Sequence, residues 1–342
     1  MVLDCLMSSS SLSESELISK AAPPKDDDGM QWLFLLAMAL VFNSHLEEFH
    51  LRPWLAGDGL LGNAMFFVLS GYRVSLSLSR RATGIVPYLQ RRLLRIYPTV
   101  WLVTLTLGLT AGWLTFNSTI HDVVRLLFWP TRFTYITWIV PAYILLFFIE
   151  RCRPNLATRS AFCLGLFSAF LALSWTEPTP RMLSDVSGSI YFLLFLSLVL
   201  AGTLLANTSI WRKPGWLLPC TALAMIVLYF AVKLQAALTG NWSWFAVILG
   251  LGGIGGLLVV AAGLPGRIFA PLKHVPGLSA CAAFVAQHSL EIYTIHSVVI
   301  EWKWLPRSYF PSGIAIAVVV TALLALIYGH TLKRLLPAAR LP

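Results

Sequence analysis

Ten apolar stretches, at 30–49, 59–78, 98–116, 134–150, 160–176, 188–206, 215–234, 242–263, 281–301 and 312–332, alternate with short polar connections along the chain. A helix needs about 20 such residues to cross a bilayer, fewer where neighbouring helices shield it. The pattern predicts an all-α polytopic membrane protein with about ten transmembrane helices. Residues 1–29 are largely polar, with unbroken runs at Ser8–Ser11 and Asp26–Asp28, and lack the apolar core of a cleaved signal peptide. They read as a disordered cytosolic tail, 30–332 as one transmembrane domain, and 333–342 as a short basic cytosolic tail.

Basic connections stay on the cytoplasmic side, so Lys and Arg orient the bundle. With both termini cytosolic, 17 of the 25 basic residues fall inside, among them Arg91, Arg92, Arg95, Arg151, Arg159 and Lys333. Seven, including Arg52, Arg132 and Lys303, fall outside, and Arg73 lies within the second stretch. Count and orientation therefore support each other.

Composition narrows the class. Of the 342 residues, 57% are hydrophobic and only 12% charged, and mean hydropathy is +0.75. A soluble chain carries about a quarter charged residues, so a soluble enzyme is excluded and the lipid bilayer is the expected partner. The net charge of +10 is what cytoplasmic loops supply, and no nucleic acid is needed to explain it. Five cysteines without metal spacing give neither a disulfide framework nor a zinc site.

Two patterns are weaker than they look. Gly250 to Gly256 contains GxGxxG, but inside one continuous apolar run and not in a strand–turn–helix unit; small residues so spaced serve close helix packing. His45-Leu46-Glu47-Glu48-Phe49-His50 has the wrong order for a metalloprotease helix, and no metal is expected. Asn117-Ser118-Thr119 and Asn241-Trp242-Ser243 are weak glycosylation sequons on the expected outer side.

Ionisable groups in hydrocarbon are expensive and therefore informative. Asn43, Ser44, His45 and Glu47 close the first stretch. Histidine takes a proton from an alcohol near neutral pH, and a nearby carboxylate holds its tautomer and cation; the plain alternative is a polar helix end at the water interface. Gly59 to Arg73, with Ser70, reads as a close-packing span. Tyr88 to Pro98 reads as a short amphipathic helix at the cytosolic surface, with Arg91 and Arg95 one turn apart. Its three guanidiniums suit either a polyphosphate or anionic lipid. In the ninth stretch, Ser289, Tyr293 and His296 recur at i, i+4 and i+7, beside His288 and Glu291, and form a polar stripe that faces the bundle interior.

In this order the segments resemble the integral-membrane acyltransferase-3 family. The resemblance rests on Asn43-Ser44-His45, on Phe66 to Tyr72, on Arg91 to Pro98 with Trp101, and on Ser289 to His296; Trp138 to Tyr143 resembles a weaker central motif. It implies transfer of an acyl group, usually acetyl, from acyl-CoA to a hydroxyl. His45 is then the essential histidine, helped by Glu47 or Asp58. The expected donor-binding set is Ser70, Arg73, Arg91, Arg92, Arg95 and Tyr97, and the expected acceptor-binding set Trp138, Tyr143, Ser289, Tyr293 and His296. Two positions depart from the family pattern: Phe34 stands where an arginine is usual, and Ala64 where an aspartate is usual. Their joint absence leaves no orphan charge; it also fits an inactive relative.

The expected function is an O-acyltransferase acting on a glycan, a lipid or a small secondary metabolite. The rival class is a transporter, which the sequence favours less because it holds no internal repeat or paired broken helices. One tension remains at this level. His45 is expected near the outer end of its span and the arginines at the cytosolic rim, so the donor arm threads deep into the bundle or a covalent histidine intermediate carries the acyl group across.

Overall fold

The computed structural model describes residues 28–51, 56–57, 59–80, 84–115, 117–129, 131–152, 154–176, 188–208, 215–241, 244–302, 305 and 310–335. Asp58, the polar tail before Asp28, Arg212 with Lys213, and most of the C-terminal tail lie outside them. Among the described residues there are helices and turns, and no strands. Twelve α-helices follow in order: α1 Asp28–Asn43, α2 Gly59–Arg80, α3 Ile85–Val103, α4 Ile120–Leu127, α5 Thr134–Cys152, α6 Leu156–Thr176, α7 Gly188–Asn207, α8 Leu217–Thr239, α9 Phe245–Gly263, α10 Leu278–Gln287, α11 Ser289–Glu301 and α12 Ser312–Leu335.

Each apolar stretch contains helix, and among the described residues six helices (α5, α6, α7, α8, α9 and α12) are long and apolar enough to cross a bilayer by length and composition. Three boundaries differ from the expectation. The first stretch stops being helical at Asn43, because polar side chains there compete for the backbone. The ninth breaks at His288 into α10 and α11. The amphipathic Arg91–Arg95 segment is not a separate surface helix. It is continuous with the third span as α3, which carries Pro98 inside it and runs on through a π-helical turn, Thr104–Gly108. Proline's missing N–H and the irregular turn that follows are the usual marks of a helix whose hydrogen-bond ladder is locally broken.

The chain divides into two compact units, one of residues 1–30, 64–85 and 141–270, the other of 31–63, 86–140 and 271–342. In the first, α6 packs on α7, α8 on α9, and α9 on both α6 and α7. Helix α9 is apolar on every side, the signature of a helix surrounded by others. Its Gly250 and Gly253 face Phe167, Leu171 and Leu194, so the glycine run serves packing. Gly71 of α2 and Gly202 of α7 meet reciprocally, against the carbonyls of Val199 and Val68, and neither site has room for a Cβ. Phe67 stacks on Phe195 at 4.3 Å beside this crossing. Arg159, counted among the cytosolic charges, is buried and paired to Glu150 at 2.6 Å. Leu223, Val227, Leu228 and Leu234 leave much of α8 apolar and exposed, a surface suited to lipid.

The second unit holds the histidines. Gly62, at the start of α2, approaches the backbone of Ala37 and Val41 of α1, fixing the end of that helix. In α12, Gly313, Ala317, Thr321, Ala325 and Gly329 are buried at four-residue spacing, a small-residue stripe that lets α11 pack closely. Gly329 leaves the space that the His288 ring occupies, since a Cβ there would lie 2.8 Å from Nδ1. Helix α4 is unforeseen by the apolar pattern. Its N-terminus is a capping box in which Thr119 and Asp122 bond each other's backbone N–H, and Thr119 is also the last residue of a sequon. Its last carbonyls are taken by α3: Tyr97 Oη donates to Phe128 O at 2.7 Å and Trp101 Nε1 to Leu127 O at 2.9 Å.

Candidate active site

Beyond α1 the chain turns sharply. Ser44 Oγ donates to Val41 O at 2.7 Å, and His45 N donates to Phe42 O at 3.2 Å, with Leu46 N to Asn43 O at 3.0 Å. Leu46 and Phe49 bury their side chains and anchor the turn. His50 closes it through Nε2 to Asn43 Oδ1 at 2.8 Å, so the second histidine of His45–His50 has a structural partner. Among the described residues no group of three His, Cys, Asp or Glu side chains converges as a metal site. His45 is left at the apex of the turn with one side of its ring exposed.

Its other side meets α11. The His45 and His296 rings lie edge to face, centroids 5.1 Å apart and planes at 61°. Phe42 and Tyr293 flank His296 at 5.6 and 5.7 Å. His296 is 2% exposed, and its Nδ1 lies 3.1 Å from Ile292 O. A carbonyl only accepts, so Nδ1 carries the proton and Nε2 is a bare acceptor. That Nε2 is buried and has no hydrogen-bond partner. Tyr293 is fixed from outside α11: its hydroxyl oxygen accepts from Tyr135 N at 3.0 Å, one of the N–H groups that the start of α5 leaves without a helical partner.

Charges frame the pair at both ends of α11. Towards its N-terminus, Glu291 interacts electrostatically with Arg95 of α3 and Lys333 of α12. At its C-terminus, Glu301 accepts from Trp113 Nε1 at 2.7 Å and from Arg132 Nη2 at 2.8 Å, while the Arg132 guanidinium lies 4.5 Å from the Trp113 ring centre. His45, outside the helix, feels burial first, which lowers its pKa from 6.5; Glu301 and then Glu47 raise it in part.

Residues 29–330 match the family described as Acyltransferase domain, the acyltransferase-3 family. The chain belongs to the acyltransferase-3 family. Membership makes it an integral-membrane acyltransferase. No curated protein and no solved structure matches the chain.

Set against this membership, the expected site residues divide by unit. His45, Glu47, Arg91, Arg92, Arg95, Tyr97, Trp138, Ser289, Tyr293 and His296 fall in the second, and Ser70, Arg73 and Tyr143 in the first. Tyr97 spends its hydroxyl on α4, and Arg92 lies 5.7 Å from the Tyr88 ring centre. Phe34 and Ala64, where the acyltransferase-3 family usually carries charges, are both buried and apolar. Sequence reasoning missed Glu301, Arg132 and Trp113. The available signal was an acidic residue closing an apolar run, with an arginine assigned to the same side of the membrane.

Proposed function

We propose that this acyltransferase moves an acyl group, acetyl in the first instance, from acyl-CoA to a hydroxyl of a glycan, a lipid or a small secondary metabolite. The observation that carries the reading is the course of α11. Within 13 residues it passes Glu291 with Arg95 and Lys333, then Tyr293 and His296 with His45. Five residues of helix rise about 7.5 Å, so a donor held by its phosphates near Arg95 has a short path to the histidines. This eases the tension between a cytosolic arginine rim and an outer histidine, and favours direct transfer over a covalent relay.

In this mechanism Arg91, Arg92 and Arg95 hold the donor's phosphates, the guanidinium geometry being suited to paired oxygens. His296 Nε2 accepts a hydrogen bond from the acceptor molecule and orients it. His45 takes the hydroxyl proton as the oxygen bonds to the thioester carbonyl carbon. The carbon–sulfur bond then breaks, and His45 returns the proton to the departing thiolate. General-base catalysis by a positioned histidine contributes about 10²–10⁴ in rate.

The test uses membranes containing the full chain, labelled acetyl-CoA and an extract of cells that lack the protein as the acceptor source. Acceptor-dependent release of CoA with label in a new ester supports the reading, and His45→Ala is expected to reduce it at least 100-fold. A carrier releases no CoA. Near-normal transfer by His45→Ala removes the mechanism.

A further inference from the structure

We propose that Glu301, clamped by Arg132 and Trp113, is the positioning carboxylate that supports the cationic form of His45, and that Arg132 limits how strongly it does so. The inference rests on reading His45 as the proton carrier.

Three facts about Glu301 set it apart from the carboxylates expected to assist His45. It is the last residue of α11, the helix whose His296 touches the His45 ring. Each of its oxygens has its own donor, Oε1 from Arg132 and Oε2 from Trp113. Arg132 also stacks over Trp113, so the three side chains close a triangle that fixes where the negative charge stands. Glu47, by contrast, is exposed on the surface turn and has no hydrogen bond among the described residues. A fixed charge aimed at a place where positive charge develops stabilises it without reorganising, whereas a mobile solvated one is screened.

Among the described residues, the charged and titratable groups facing His45 are Glu47 from its own turn and Glu301 and His296 from α11. Glu301 acts on His45 more strongly than Glu47. His296, buried among Phe42, Tyr293 and the His45 ring, adds no charge in its neutral form. Arg132 is half-exposed and shares its charge with Glu301 alone among the described ion pairs. It therefore works as a governor: it holds the carboxylate in place and cancels part of its field.

The experiment titrates His45 directly, without substrate. Diethyl pyrocarbonate modifies only the unprotonated imidazole, so the full-length protein in detergent is treated across pH and modification of the His45 peptide is read by mass spectrometry. Glu301→Gln is expected to lower the midpoint by about half a unit, Arg132→Gln to raise it by a similar amount, and Glu47→Gln to lower it less. Opposite signs for the two partners of one ion pair are what a purely structural role does not produce. An unchanged midpoint in Glu301→Gln, or a shift of both variants in the same direction, overturns the assignment. If Glu301→Gln does not fold, Arg132→Gln decides alone: a rise supports the proposal, and no change or a fall overturns it. Loss of this result with His45→Ala still inactive sinks only the role of Glu301; an active His45→Ala sinks the reading beneath it.

Discussion

His45 and His296 touch edge to face at 5.1 Å, yet their surroundings prepare them for opposite tasks. His296 is enclosed, its tautomer set by the Ile292 carbonyl, its Nε2 unspent. His45 is open on one side and faces two carboxylates. A ring that must gain and lose a proton belongs in the second setting, and a ring that must stay a neutral acceptor in the first.

That division predicts an asymmetry between two small substitutions at 296. Asparagine places its amide near the position of Nδ1 and keeps the bond to Ile292, but offers nothing at Nε2. Glutamine reaches the Nε2 position. His296→Gln is expected to retain about tenfold more kcat/KM for the acceptor than His296→Asn, the scale of one buried hydrogen bond. Equal activity of the two variants in the acyl-transfer assay contradicts the role given to Nε2.

The pH dependence follows from His45. Burial lowers its pKa from 6.5, with Glu301 and Glu47 offsetting part of that. A general base works when unprotonated, so the acid limb of kcat/KM is expected to have its midpoint below about 6.5. Stability carries the same sign. The unfolded imidazole begins to bind protons near its ordinary value while the folded one resists, so this contribution is complete above that value and shrinks as pH falls towards the folded pKa. A pH–rate profile and thermal unfolding in detergent at neutral and mildly acidic pH check both statements.

Arg91, Arg92 and Arg95 are expected to act on donor binding and not on chemistry. Replacing each with glutamine raises KM for acetyl-CoA about tenfold with little change in kcat, since a charge-assisted contact is worth about 1.5–3 kcal/mol. The decisive comparison is acetyl-pantetheine, which lacks the nucleotide phosphates. Wild type and variants should use it equally poorly, and a variant that loses activity equally on both donors points to structural damage.

Close packing in the first unit gives a stability prediction. A methyl added at Gly71 or Gly202 meets a facing backbone carbonyl, whereas Gly165 of α6 has nothing within 4 Å. Gly71→Ala and Gly202→Ala should each destabilise the protein by about 1–3 kcal/mol or more, and Gly165→Ala should be neutral or mildly stabilising. Thermal unfolding of the three variants in one detergent distinguishes them.

Much of the fold was legible in the chain. An apolar run marked each of the six helices long and apolar enough to cross a bilayer, and the glycine run at 250–256 read correctly as packing because its flanks were apolar. The breaks were not legible. Hydropathy continues through His288, where the helix divides, and falls across Arg91–Arg95, where the helix runs on through Pro98, because backbone path depends on neighbours that a window average does not see. Helix α4 escaped notice because it is short and amphipathic; Thr119 and Asp122, spaced as a capping box, were its sign. At the site, His45 and the polar face of α11 stood out as charges and rings in an apolar setting. Glu301 did not, because its importance comes from Arg132 and Trp113, which are 169 and 188 positions away along the chain.

The two hydrogen bonds from Tyr97 and Trp101 to the tail of α4 tie together distant parts of the machinery. Four residues after Phe128 comes Arg132, so the stretch that steadies Glu301 hangs from the same helix that presents the three arginines. A displacement of α3 would therefore move the anchor of the segment that leads to Arg132. A conservative Tyr97→Phe change removes one of the two anchors and leaves Trp101 alone to hold the segment that leads to Arg132.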